Sequence, residues 1–199
     1  RMAMMRSHGI DRQAWHRYTE AGTDRHSTTP HWYYEVVAPG FKYNLPDTAA
    51  ALGRVQLRRA HALRDARARL ATRYLVQFEP LARAGIVELP AAPSGHAWHL
   101  FILRLNPNAL TISRDQFIEE LRLREIGTSV HYIPLHHMPY WRERYIPAVG
   151  KSALSVSLSN TDARATEIVS IPLYPDLRVS DQDRVIAAVI DLLEAHRAR

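Results

Sequence analysis

The stretch Pro39-Gly-Phe-Lys-Tyr-Asn-Leu-Pro-Asp-Thr-Ala-Ala-Ala-Leu-Gly-Arg-Val-Gln-Leu57 organises the chain on either side of it. Pro39-Gly40 reads as a tight glycine turn, followed by a short polar stretch and then a helix that begins at Pro46. Proline in the first turn costs no intrahelical hydrogen bond, and Asp47 suits the positive end of the helix dipole. Small residues at 49–51 permit close approach of another element, and exposed amides with Asn44 beside a helix start make a plausible anion site. Leu52, Val55, Leu57, Leu63, Leu70 and Leu75 continue the apolar positions, with arginines between them, until Pro80 and Gly85 end the pattern. A helix of that extent is long enough to bridge two domains.

Upstream, the first 39 residues are polar, aromatic and weakly periodic, ending in His31-Trp32-Tyr33-Tyr34. Such a segment packs on something, and little nearby is suited to receive it. Downstream of Gly85 the texture changes. Ile86 to Leu89 and Trp98 to Leu105 read as strands, the second apolar enough to be central. Ser113 with Gln116 forms a capping box, and the helix behind it carries Phe117, Ile118 and Leu121 and stops at Gly127. Thr128 to Ile133 reads as another strand, Asp162 to Ile168 as a helix, and Ser170 to Tyr174 as a short extended piece. Ser180 caps a final amphipathic helix carrying Val185, Ile186, Val189, Ile190 and Leu193. This half is expected to be a compact α+β unit with helices on one face of a small, mostly antiparallel sheet.

Composition bounds the function. Of 199 residues, 46% are hydrophobic and 23% charged, an ordinary globular balance that argues against wholesale disorder. The chain carries no run of eighteen apolar residues and no basic-then-apolar leader, so no membrane association and a cytoplasmic location are expected. With no cysteine, disulfide scaffolds, iron–sulfur clusters and thiolate zinc sites are excluded. The formal charge is +6, from 26 basic and 20 acidic residues. Among the basic residues only Lys42 and Lys151 are lysine. A positive balance suits an anionic partner such as a nucleotide-linked substrate. The chain opens at Arg1 without an initiator methionine, which reads as a piece of something longer.

Among the eleven histidines, His96, His99, His131, His136 and His137 invite a metal reading. His96 and His99 stand three apart at the mouth of an expected strand, so their side chains point to opposite faces. No carboxylate lies at ligand spacing and no His-Glu-x-x-His motif occurs, so no metal site is expected. His131 and His136 flank a strand end that turns at Pro134 and runs into Tyr140-Trp141. That arrangement suits substrate contacts, and equally a stiffened loop whose histidines cap backbone groups; spacing leaves both open. Arg54, Arg58, Arg59, Arg64, Arg67, Arg69 and Arg73 are scattered around the long helix, interrupted by Asp65 and without interleaved aromatics. A solvated helix face is therefore expected, and no nucleic-acid partner.

Six ordered motifs resemble the DegT/DnrJ/StrS sugar aminotransferases. They are Arg6-Ser-His-Gly-Ile10, the 40–57 segment, His96-Ala-Trp-His-Leu-Phe101, Ser113-Arg-Asp115, Ile126-Gly-Thr-Ser-Val-His-Tyr-Ile-Pro-Leu-His136 and Ile171-Pro-Leu-Tyr-Pro175. The Lys-Tyr-Asn variant at 42–44 is most similar to the UDP-4-amino-4-deoxy-L-arabinose aminotransferase branch. The resemblance covers nearly the whole chain. It implies an α/β protein, the C-terminal part of the type I (aspartate aminotransferase-like) PLP-dependent transferase fold. The end of the large domain and a dimer-interface loop would occupy 1–45, a connecting helix 46–84, and a small α+β domain 85–199. The implied cofactor is pyridoxal 5'-phosphate. The implied reaction moves an amino group from glutamate to a keto group of a nucleotide-linked sugar, as in polysaccharide biosynthesis, within a homodimer whose active sites are shared.

By the same resemblance, Asn44 reaches the cofactor phosphate of the neighbouring subunit. His131 lies on the substrate side and helps hold the donor carboxylate, and Lys42, Tyr43 and His136 line the substrate site. The family's Schiff-base lysine lies upstream of the Arg-Ser-His-Gly motif. Neither Lys42 nor Lys151 matches it, and a permanently protonated arginine cannot replace a primary amine. These 199 residues are thus expected to be a fragment that is inactive alone, with no catalytic residue of its own. The alternative is a non-catalytic split or degenerate relative that binds a partner chain or a nucleotide sugar.

Overall fold

The computed structural model describes residues 2–10, 35–141 and 158–198, which divide into two units, 1–59 and 60–199. The aromatic run His31–Tyr34 and Lys151 lie outside the described residues. In chain order the elements are α1 (Met2–Met5), α2 (Asp47–Arg83), β1 (Val87–Glu88), β2 (Phe101–Leu105), α3 (Arg114–Leu123), a 3₁₀ turn (Leu135–His137), α4 (Ser159–Ala165), β3 (Ile168–Ile171) and α5 (Val179–Ala195). Among the described residues no helix is long and apolar enough to cross a membrane.

Helix α2 runs unbroken for 37 residues. The Pro46 carbonyl accepts the Ala50 amide at 2.9 Å, closing the first turn. Pro80 lies inside the helix instead of ending it. It leaves only the Val76 carbonyl without its amide, on a residue that is 63% exposed, where water can replace the lost bond. The stop is made by Gly85 in the left-handed region (φ 72°). The Ile86 amide reaches back to Leu81 O and the Gly85 amide to Ala82 O, both at 3.0 Å. That double closure, with Leu81 and Ile86 both buried, is a Schellman ending. The apolar positions of α2 divide unevenly: 51–62 are exposed throughout, whereas Leu70, Ala71, Tyr74, Phe78 and Leu81 are buried.

The sheet is antiparallel, in the order β1-β2-β3, so β2 is central as its apolar sequence implied. Val87 pairs with Leu105 on one side, and Phe101 with Ile171 on the other. Alternation buries Phe101, Leu103 and Leu105 on one face. The opposite face carries Arg104, a cation in a central strand, which is tolerated because Glu167 Oε2 lies 2.6 Å from its Nε and Glu88 pairs with its Nη1. Tyr74 and Phe78 of α2 pack on Phe101, with centroid separations of 5.0 and 6.5 Å. Helices α3 and α5 contribute Phe117, Leu121, Val185, Val189 and Leu193 to the same core.

Several boundaries differ from those expected. The strand expected from Trp98 begins at Phe101, because Trp98 sits at φ 49° and cannot continue a ladder. His96 and His99 are therefore not on a strand; His96 Nδ1 accepts the Trp98 amide at 2.9 Å. The expected strand at 128–133 reduces to one bridge, Ser129 with Ser170. Helix α4 ends at Ala165, and Ile168 already belongs to β3, its register set by Arg104. The N-cap of α5 is Arg178, whose carbonyl accepts the Gln182 amide at 3.0 Å, so Ser180 lies within the first turn.

The capping box of α3 forms as expected: Ser113 Oγ accepts the Gln116 amide at 3.2 Å, and Gln116 Oε1 accepts the Ser113 amide at 2.8 Å. Its far end is closed two residues before Gly127. Glu125 takes φ 58° and Ile126 N bonds Leu121 O at 2.9 Å, a Schellman ending without glycine. A side chain in this conformation is strained. Glu125→Gly therefore raises stability by roughly 1 kcal/mol, read as a higher urea midpoint with an unchanged slope.

Tyr74 is fully buried and its hydroxyl donates to Pro172 O at 2.9 Å. Burial, reinforced by nearby Tyr174, pushes its phenol well above the ordinary value. The unfolded chain ionises this group near pH ~10, whereas the folded protein holds the proton to higher pH. The stabilisation is thus complete below pH ~10 and is lost as pH rises toward the folded pKa. The melting temperature falls above pH ~10, and Tyr74→Phe flattens that fall.

Candidate functional site

In the first unit, two of the sequence motifs meet. The Arg6–Ile10 segment pairs with 36–43 through bridges Ser7–Lys42 and Ile10–Val36. The Phe41 amide donates to Met5 O at 2.7 Å, the Tyr43 amide to Arg6 O at 2.8 Å, and the His8 amide to Phe41 O at 3.0 Å. The two backbones cross where Gly9 meets Gly40. A Cβ on Gly40 would fall on Gly9 N, and one on Gly9, at φ 72°, would fall on the Ala38 carbonyl. Gly40 is hence required for close approach, and its φ is not in the left-handed region that the expected tight turn would have used.

Past the crossing, Phe41 and Tyr43 stack with centroids 5.2 Å apart and planes 6° from parallel. In extended backbone alternate residues share a face, so Lys42 falls on the face opposite that pair; Asn44 follows shortly before the helix start at Asp47. Lys42, Tyr43 and Asn44 are all exposed. An ammonium and a carboxamide are each hydrogen-bond donors suited to phosphate oxygens.

In the second unit, the sequence-predicted His131 and His136 receive different partners. His131 Nδ1 lies 2.9 Å from Ser170 Oγ, and Ser170 is only 6% exposed. The His131 ring also meets Tyr132 edge-on at 4.8 Å. His136 Nε2 lies 2.6 Å from Asp162 Oδ1, and His137 Nε2 lies 2.9 Å from the same oxygen. These three side chains are a group of the kind that holds a metal ion, and Asp162 is the carboxylate that local spacing did not supply. His136 Nε2 donates a hydrogen bond to Asp162 Oδ1, and His137 Nε2 stands within ion-pair distance of the same oxygen.

Asp162 thereby ties the 3₁₀ turn at 135–137 to α4. Asp162→Ala removes the His136 hydrogen bond, worth about 1 kcal/mol, together with the His137 contact. Amide exchange at 135–141 should quicken by about fivefold to tenfold, while the melting temperature of the core barely moves. Sequence reasoning missed Gly9, Asp162 and Ser170. The last two lie 26 and 39 residues from the histidines they hold, and no local spacing signals that.

A profile of the DegT/DnrJ/EryC1/StrS aminotransferase family matches residues 1–190. An uncharacterized protein of Methanocaldococcus jannaschii, MJ1066, is 36% identical over 197 residues, covering 99% of this chain and 47% of that protein. The aminotransferase TlmJ of Streptoalloteichus hindustanus superposes with a TM-score of 0.68 at 26% identity, covering 96% of this chain and 43% of TlmJ. Helicobacter pylori PseC, an aminotransferase of pseudoaminic acid biosynthesis, shares the fold at a TM-score of 0.71 and 21% identity, covering 98% of this chain and 45% of PseC. The chain thus spans about half the length of the relatives it matches. Its α/β architecture is the C-terminal part of the type I fold, and the family's enzymes depend on pyridoxal phosphate. With the matched profile spanning all but the last nine residues, the chain belongs to the DegT/DnrJ/EryC1/StrS aminotransferase family.

Proposed function

We propose that residues 1–199 are the C-terminal half of a pyridoxal-phosphate aminotransferase that moves an amino group from glutamate to a keto group of a nucleotide-linked sugar. The observation that carries this reading is the pairing of 6–10 with 36–43, which joins two family motifs, with Lys42, Tyr43 and Asn44 exposed. When bound, the cofactor supplies the electron sink for the carbon that loses its proton. Asn44 donates its amide N–H to a phosphate oxygen of the cofactor in the neighbouring subunit. Lys42 and Tyr43 line the nucleotide-sugar side, where the +6 balance favours a diphosphate. His131 donates a ring N–H to the carboxylate of the amino donor. His136, its Nε2 held by Asp162, lines the same side with its ring.

On this reading the end of the large domain and the interface loop occupy 1–45, the connecting helix 46–84 and the small domain 85–199. The cofactor lysine comes from outside these residues, and the protein works in the cytoplasm. A homodimer is supported by the exposed apolar residues of early α2, Leu52, Val55 and Leu57, at 63%, 49% and 74% exposure.

The test is optical. The whole protein should absorb in the visible with cofactor bound, and the band should bleach when glutamate is added. A colourless whole protein that ignores added cofactor overturns the reading. Co-purification of such a protein with a separate lysine-bearing chain would instead establish the non-catalytic alternative.

A further inference from the structure

We propose that Ser170 is a positioning residue that holds His131 in the Nε2–H tautomer, so that the ring presents a donor to its ligand and selects a carboxylate. This rests on the reading above that His131 faces the amino donor. The placement follows from register. Ser129 and Ser170 exchange both backbone hydrogen bonds, at 3.1 and 2.8 Å, and so stand directly opposite each other. His131 is two residues beyond Ser129, and the diagonal position across such a pair is within reach of a long side chain. Its Nδ1 comes to 2.9 Å from Ser170 Oγ.

The direction of that bond follows from burial. Ser170 is 6% exposed, and among the described residues His131 Nδ1 is the acceptor within reach of its hydroxyl. A buried O–H without an acceptor is costly, so the hydroxyl donates to Nδ1. A neutral imidazole that accepts at Nδ1 carries its proton on Nε2. The outward nitrogen is then an N–H, matched to an anionic oxygen and mismatched to another donor. Without Ser170 the ring is free to place its proton on either nitrogen and to rotate.

The experiment uses the whole protein with its cofactor, labelled with ¹⁵N in the histidine rings. In the unaltered protein, His131 should show the Nε2–H pattern in long-range ¹H–¹⁵N correlation spectra. In Ser170→Ala that pattern should give way to mixed tautomers, and KM for glutamate should rise about tenfold while kcat changes less than about twofold. Ser170→Thr keeps the hydroxyl and should restore both. An Nδ1–H pattern in the unaltered protein overturns the proposal. So does a Ser170→Ala spectrum and KM indistinguishable from the original. Failure of the underlying reading looks different: His131→Gln would leave KM for glutamate unchanged while the tautomer still answered to Ser170.

Discussion

Phe101→Ala lowers the stability of the 60–199 unit by about 3–5 kcal/mol, enough to drop its melting temperature by roughly 10–20 °C. Phe101 is wholly buried in the central strand. Three aromatic rings surround it: Tyr74 at 5.0 Å, Trp98 at 6.0 Å and Phe78 at 6.5 Å between centroids. Two of these belong to α2 and the third precedes the strand, so truncation opens a cavity between elements that cannot all collapse into it. Differential scanning calorimetry reads the effect. Leu123→Ala is the comparison, since Leu123 is 67% exposed and should cost no more than about 0.5 kcal/mol. Similar shifts for the two variants would mean that the core does not centre on Phe101.

The second large effect lies in the other unit. Gly40→Ala forces a methyl group into the backbone of His8 and Gly9, and backbone cannot yield as a side-chain tip can. Overpacking of this kind costs about 1–3 kcal/mol. The amides of His8, Phe41 and Tyr43, which hold the two segments together, should lose between about fivefold and a hundredfold of their protection from hydrogen exchange. Because Asn44 follows directly on Tyr43, the proposed reach to the cofactor phosphate should fail with the pairing, and cofactor affinity should fall in the whole protein. Gly53→Ala is the control. A Cβ at Gly53 meets nothing within 4 Å, and alanine is the better helix former. Unchanged protection in Gly40→Ala would show that the crossing is looser than the backbone contact implies.

Much of this protein is set by local chemistry and is therefore readable along the chain. The long helix follows from Pro46, Asp47 and a run of good helix formers, and its end from Gly85, the one residue free to take a left-handed turn there. The capping box of Ser113 and Gln116 acts over three residues and forms as written. The apolar alternation of Phe101, Leu103 and Leu105 makes β2 the centre of the sheet. The ordered motifs identify the family, because a motif is a run of neighbours and a family is defined by such runs.

What the sequence could not determine depends on partners that are distant along the chain. The helix end at Glu125, in place of Gly127, is set by two backbone bonds back into α3 and by the burial of Ile126, which outweigh the local preference for glycine. Which half of α2 is buried depends on where β2 lies, since Leu57 and Leu81 are the same residue type but only Leu81 lies in the core with Phe101. The need for glycine at 40 arises only when Gly9 crosses it. The histidines are the clearest case. Spacing left His131 and His136 poised between substrate contact and loop stiffening, because an imidazole takes its role from whatever its two nitrogens meet. Tertiary structure decides that by bringing Ser170 to one ring and Asp162 to the other.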